Sequence, residues 1–398
     1  MASNSSWSGG IHNRANFRKV PDGFVRDMVN LDPLVGGVLG LRSGYDQRYS
    51  AGSARGALSI KSKILFADGP SLVCFDTQSD DAHVIAQVAA AGRFSGTAHN
   101  QELFFCTATE SLRFDGSTLR AWGVPTILDQ PVPQIVSGGL RAGKYQAAVT
   151  LLNQQGEEGA TTNPIQVTIS DGQGLLFSPP QLTTGYRYRL YVSPFGAETL
   201  YEQYEGSASF AVTTLRDDTA RLETMNLRSP PGGDHIASLG SSILIADGGT
   251  LWHTLAMSPH LVDMSKSFFQ YPAPIDVMLK VDGGVFVCAD KTYFLQSPDS
   301  TDVAQSVKLE FGAIPGTGSI LPDGRATWMT QYGLAIGAFD GSVALLSQNN
   351  FVPEIAQHGA SGLIDHNGNQ MLVTTMSGQK GPNPLGASDF YEAEIVTL

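Results

Sequence analysis

An apolar strand, a short turn that usually contains Gly, and a second strand recur along this chain, and such a repeat limits the possible architecture more than any single motif. The copies run from Ile64 to Phe75, Glu102 to Gly116, Ile243 to His253, Val285 to Leu295 and Leu334 to Leu346. The sixth is Met371–Thr375 with a partner near Phe390–Ile395. Start positions 64, 103, 243, 285, 334 and 371 are separated by 39, 140, 42, 49 and 37 residues. All but one of these steps fit the roughly 40–50-residue period of a four-stranded propeller blade. The long step leaves about 100 residues beyond one period, the size of a small sandwich domain. The repeat predicts an all-β chain: a β-propeller of about six blades with an inserted immunoglobulin/fibronectin type III-like β-sandwich.

Turn chemistry agrees with this. Asp-Gly occurs at 22, 68, 115, 171, 247, 282, 323 and 340, and Asn367-Gly368 adds a ninth signal. These dipeptides suit type I′ hairpins, which need positive φ. In the insertion, Tyr186, Tyr188, Leu190 and Val192 alternate with Arg187 and Arg189, the period of a strand with one buried face. Further strands are expected at 145–152, 165–169, 175–177, 199–204 and 210–214. Pro131, Pro133 and Pro230-Pro-Gly-Gly233 mark the boundaries. The expected division is 1–129 for an N-terminal segment and the first blades, 130–228 for the sandwich, and 229–398 for the remaining blades and ring closure. Gly37–Arg42 and Glu394–Leu398 are the strands expected to close the ring, because closure removes free sheet edges.

Composition narrows the function. Charged residues are only 16% of the chain, with a formal charge of −12. That balance disfavours general nucleic-acid binding, which needs a basic stripe, and binding to anionic membranes. Neither a Sec-type leader nor a membrane-spanning run is expected. Cys74, Cys106 and Cys288 lie in or beside strand-like runs without CxxC spacing, as buried reduced thiols do.

Chemistry-bearing motifs are sparse. Gly138–Tyr145 fits GxxxxGK but lacks the following hydroxyl and helix that a phosphate loop needs. The eight histidines (12, 83, 99, 235, 253, 260, 358 and 366) show no metal-ligand spacing and are expected at surfaces or turns. Carboxylate pairs at Asp80-Asp81, Glu157-Glu158 and Asp217-Asp218 fall in turn-like context, and a glycosidase would need two carboxylates converging across a cleft. Trp7, Trp122, Trp252 and Trp328, with Phe268, Phe269 and Tyr271, are blade core or contact anchors. No catalytic, cofactor-binding or metal residue is assigned, and no cofactor.

The segment Gly10–Asp32, followed by Gly36–Tyr45, resembles the opening of a family of tailed-bacteriophage virion structural proteins. Further similar stretches are Leu140–Thr150 with Gly156-Glu-Glu-Gly159, Arg189–Ser193 and Ile243–Trp252. Asp22 is read as capping a short helix over 24–31, with Phe24, Met28 and Leu31 on one face. The resemblance implies a non-enzymatic protein of the β-propeller tail nozzle or tail stabilisation type, located in the virion tail and made in the host cytoplasm. Its partners would be copies of itself in a ring and neighbouring tail or adaptor proteins, without membrane insertion or a specific nucleic-acid sequence. The chain is shorter than the larger nozzle proteins, so nozzle, tail-tip and fibre-adaptor positions all stay open. The alternative is a carbohydrate-binding or carbohydrate-cleaving propeller that recognises a host-surface glycan.

Overall fold

In the computed structural model, residues 6–15, 19–44, 46–180, 182, 184–298, 303–366, 369–378 and 383 are described. They form an all-β protein with no α-helix, and no helix is long and apolar enough to cross a membrane. The chain divides into two compact units.

The first unit holds Ala51–Asp247 and Leu251–Phe269. Sheet 1 is Ala54–Ile60, Lys63–Asp68, Ser71–Asp76 and Asp81–Gln87; sheet 2 is Ser95–His99, Glu102–Cys106, Ser111–Phe114 and Leu119–Ala121. Sheet 3 contributes His235–Leu239, Ser242–Asp247, Thr250–His253 and Phe268–Gln270. Each sheet has its strands in chain order, the up-and-down arrangement of a propeller blade. The second unit holds Met1–Ser50, Gly248–Thr250 and Gln270–Leu398. Sheet 4 (Val277–Val281, Gly284–Cys288, Thr292–Gln296, Ala304–Leu309) and sheet 5 (Ser319–Ile320, Ala326–Thr330, Gly333–Gly337, Val343–Leu345) repeat the same order. His358–His366 and Asn369–Ser377 then pair antiparallel over their full length.

The observed period is more regular than the sequence suggested. Second strands begin at residues 63, 102, 242, 284, 326 and 369, spaced by 39, 140, 42, 42 and 43 residues. The fifth copy was read one strand late, because Ala326–Thr330, with its two Thr, is a weaker apolar run than Leu334–Phe339. Met371–Thr375 pairs with the strand before it, while the proposed partner at 390–395 lies outside the described residues. Of the ring-closing candidates, Leu39–Leu41 pairs with Leu31–Pro33 and 394–398 is outside the described residues.

The turns also differ from type I′. Glycine has positive φ in seven of the eight Asp-Gly pairs, Gly283 being the exception, but no Asp of these pairs does. Asp is there for its carboxylate. Asp115 accepts from the backbone N–H groups of Ser117 and Thr118, Asp323 from Arg325, and Asp340 from Ser342. These are Asx turns. The bonds from Thr118 and Ser117 hold the Asp115 carboxyl down at about 2.

The helix expected over 24–31 is absent. Gly23 sits at φ 86° and Asn30 at φ 61°, so left-handed residues bracket the segment, and Phe24–Val25 instead pairs in parallel with Gly10–Ile11.

Between sheets 2 and 3 lies the insertion, two sheets around one core. Gln134–Leu140, Gln173–Phe177 and Phe210–Val212 form one; Ile165–Ile169, Gly143–Leu152, Arg187–Val192 and Tyr201–Gly206 form the other. Both sheets supply that core, with Leu175, Phe177 and Val212 from one and Tyr145, Val149, Tyr188 and Leu190 from the other. Numbered within the insertion, the orders are 1-4-7 and 3-2-5-6, whereas the immunoglobulin constant order is 1-2-5-4 and 3-6-7. The first of these strands was not expected, since Gly138-Gly139 reads as a turn. A Cβ at Gly138 would lie 2.8 Å from the Gly174 Cα, so glycine lets these strands meet.

Candidate functional site

The GxxxxGK stretch is not a phosphate loop: Gly138 and Gly139 lie within a strand, and Gly143-Lys144 opens another strand, not a helix. Cys74, Cys106 and Cys288 are free and buried, and burial pushes all three thiols upward, Cys288 to about 12. Trp122 and Trp328 are fully buried core residues; Trp252 is half-buried and packs against Phe268 with ring centroids 5.3 Å apart. Among the described residues no group of three or more His, Cys, Asp or Glu is placed to hold a metal ion.

Of the three carboxylate pairs, Glu157-Glu158 organises its surroundings. Both lie on the short return after Gly143–Leu152, and their side chains serve different partners. Glu157 takes both guanidinium nitrogens of Arg113, Nη1 at 2.8 Å, and receives the Asn153 amide at 2.6 Å. Arg113 is on sheet 2 with its side chain only 3% exposed, and Glu102 lies 3.9 Å from it. Glu158 accepts from Thr150 at 2.6 Å, the Tyr191 hydroxyl at 2.7 Å and Arg189 at 2.8 Å. Arg189 continues to Glu205 at 2.6 Å and Glu202 at 3.3 Å. The return therefore clasps the insertion to sheet 2 with charge-assisted bonds on both sides.

His260 reaches the same cluster, its Nδ1 being 3.9 Å from Glu157. It and His99 are buried, contrary to the expectation of surface or turn histidines. His99 bridges Ser238 at 2.8 Å and Asn100 at 3.1 Å. Ser238 is 139 residues from His99, and Glu157 is likewise remote from His260 in sequence, so spacing did not reveal these pairings.

Burial raises the Glu157 carboxyl, but the bonds from Arg113 and Asn153 outweigh it and leave it below its ordinary value. Burial dominates His260 and His99 and pushes both below the ordinary 6.5. All three groups bind fewer protons folded than unfolded. Their stabilisation is present above the unfolded value and lost as pH falls through the folded one. Stability of this unit is expected to be level from pH 6.5 to about 8, where the thiols begin to titrate when unfolded, and to decline below 6.5, first through the histidines and then, below about pH 4.5, through Glu157. Urea midpoints across this range check the trend, and His260→Gln should flatten its upper part.

Beside the clasp lies a groove of about 240 Å³, lined by Arg120 of sheet 2 and the adjoining Thr118, and by the insertion's turns 153–155 and 184–186. Arg120 is neutralised by Glu102 and, at 3.9 Å, by Asp115. Asn153 is locked: its Oδ1 accepts from the N–H groups of Gln155 and Glu157 while its amide donates to Glu157. Tyr186 packs against the insertion's core. The groove thus combines a cation balanced by neighbouring carboxylates, a fixed Asn153 and the exposed amides of Gln154 and Gln155.

No family model and no curated protein matches this chain. Solved structures are similar only at low levels. Apo AztD from Citrobacter koseri is 8% identical with a TM-score of 0.33, covering 82% of this chain and 76% of that one. BBS1N in complex with ARL6DN is 9% identical with a TM-score of 0.34, covering 82% and 90%. The WD40 β-propeller domain of Doa1 is 12% identical with a TM-score of 0.30, covering 84% and 95%.

Proposed function

We propose that this protein is a non-enzymatic structural component of a bacteriophage tail, a nozzle, tail-tip or fibre-adaptor protein that acts by assembling with copies of itself and with neighbouring tail proteins. The six repeats are read as blades of a β-propeller, supported by the 42-residue spacing of their second strands after the insertion. The insertion is read as immunoglobulin- or fibronectin type III-like. If its opening strand is strand B, its neighbours are B-E and C′-C-F-G, with strand A lacking and the seventh strand beside E.

The observation that carries the assembly reading is the clasp. Glu157 is spent on holding the insertion to Arg113 of sheet 2 and Glu158 on bracing the return against the insertion's own Thr150, Tyr191 and Arg189, which suits a rigid docking module. A ring of identical copies is the expected state. Light scattering on the purified protein should give a closed oligomer at micromolar concentration, and a monomer would oppose the ring. A second reading, binding of host-surface carbohydrate, is favoured by the polar groove beside the clasp, whose cation is already paired.

A further inference from the structure

We propose that this groove binds one neutral, hydroxyl-rich ring, a sugar unit of a host-surface glycan; the proposal rests on the second reading and gives it a site. Three properties point to that ligand. The groove does not call for an anion, because Arg120, which lines it, is already paired with Glu102 and Asp115. The rim offers donors and acceptors suited to hydroxyls: Gln154 and Gln155 are exposed, and the half-buried Tyr186 is held in place by the core behind it. Tyrosine adds an apolar ring face with a polar tip, the combination that meets both the C–H and O–H faces of a sugar. The volume, about 240 Å³, falls below the roughly 300–1,000 Å³ of drug-sized sites, so the ligand is small.

Gly185 lets the groove's two turns approach each other. Its φ is 93°, and a Cβ there would stand 2.7 Å from the Gln154 amide nitrogen, so Gln154 lies across the turn that carries Tyr186. Any larger residue at 185 would push that amide aside.

The test is saturation-transfer NMR and calorimetric titration of the full chain with methyl glycosides of glucose, galactose, mannose and N-acetylglucosamine, and with sialic acid as an anionic probe. One neutral glycoside is expected to bind saturably, with at least tenfold weaker binding in Tyr186→Ala and, at an exposed position, in Gln154→Ala, the latter with an unchanged thermal midpoint. Tyr186→Phe, which keeps the ring, should retain more binding than Tyr186→Ala. No saturable binding by the wild-type chain overturns both the site and the carbohydrate reading while leaving the assembly reading intact. Binding that survives Tyr186→Ala, or that is lost only in Trp252→Ala, overturns the groove and keeps the carbohydrate reading. Preferential binding of sialic acid overturns the neutral ligand class.

Discussion

Glu157→Ala should lower the unfolding free energy of its unit by about 3 kcal/mol, the lower end of the ~3–5 kcal/mol seen when one partner of a buried ion pair is removed. The reason is Arg113. Its side chain is almost wholly enclosed, and without Glu157 its nearest carboxylate is Glu102 at 3.9 Å. An unpaired buried charge costs more than the lost pair contributed, so the double change Arg113→Met with Glu157→Leu should recover most of the loss. Urea unfolding followed by circular dichroism checks both. A loss below about 1 kcal/mol for Glu157→Ala, the range of exposed pairs, would mean that the clasp is solvated and does not hold the insertion.

Trp328→Ala should be as damaging in the other unit, about 3–5 kcal/mol by the cost of deleting a buried large aromatic. Trp328 is fully buried in the core of sheets 4 and 5, with Phe286 at 5.2 Å and Val277, Leu279 and Ala335 in the same cluster. Its indole N–H has no hydrogen-bond partner among the described residues. Trp328→Phe removes that orphaned donor and keeps the aromatic contact, so it should cost clearly less than Trp328→Ala. Equal losses would show that the indole donor is satisfied and that shape alone does not govern this core.

These residues also show what was legible in the chain. The central strands were readable because they are buried on both faces, as in Gly284–Cys288, and are punctuated by Asp-Gly turns. The flanking strands were not, because they are largely exposed and polar: Ala304–Leu309 carries no apolar run. The insertion's first strand was hidden by Gly138-Gly139, whose role is close strand approach. The helix read over 24–31 failed because helical spacing of three apolar residues counts for little when Gly23 and Asn30 adopt left-handed geometry.

The candidate site was legible only in part. Glu157-Glu158 stood out as a pair, yet its partners lie 44 residues away at Arg113 and 31 away at Arg189, and no local spacing encodes such pairings. Arg187 and Arg189 were correctly set on the face away from the sandwich core. That face is not simply solvated: Arg189 sits among Glu158, Glu202 and Glu205. The groove was not legible at all, because its lining comes from three segments, 118–123, 153–155 and 184–186, that only the fold brings together.

We propose that this protein is built into a phage tail, and the most direct measurement is mass spectrometry of gradient-purified intact particles of a phage carrying its gene, compared with the same lysate's soluble fraction. The account predicts the protein in the particles at a stoichiometry comparable to other tail components, retained after high-salt washing. Its absence from washed particles, with abundant protein in the soluble fraction, would contradict the account.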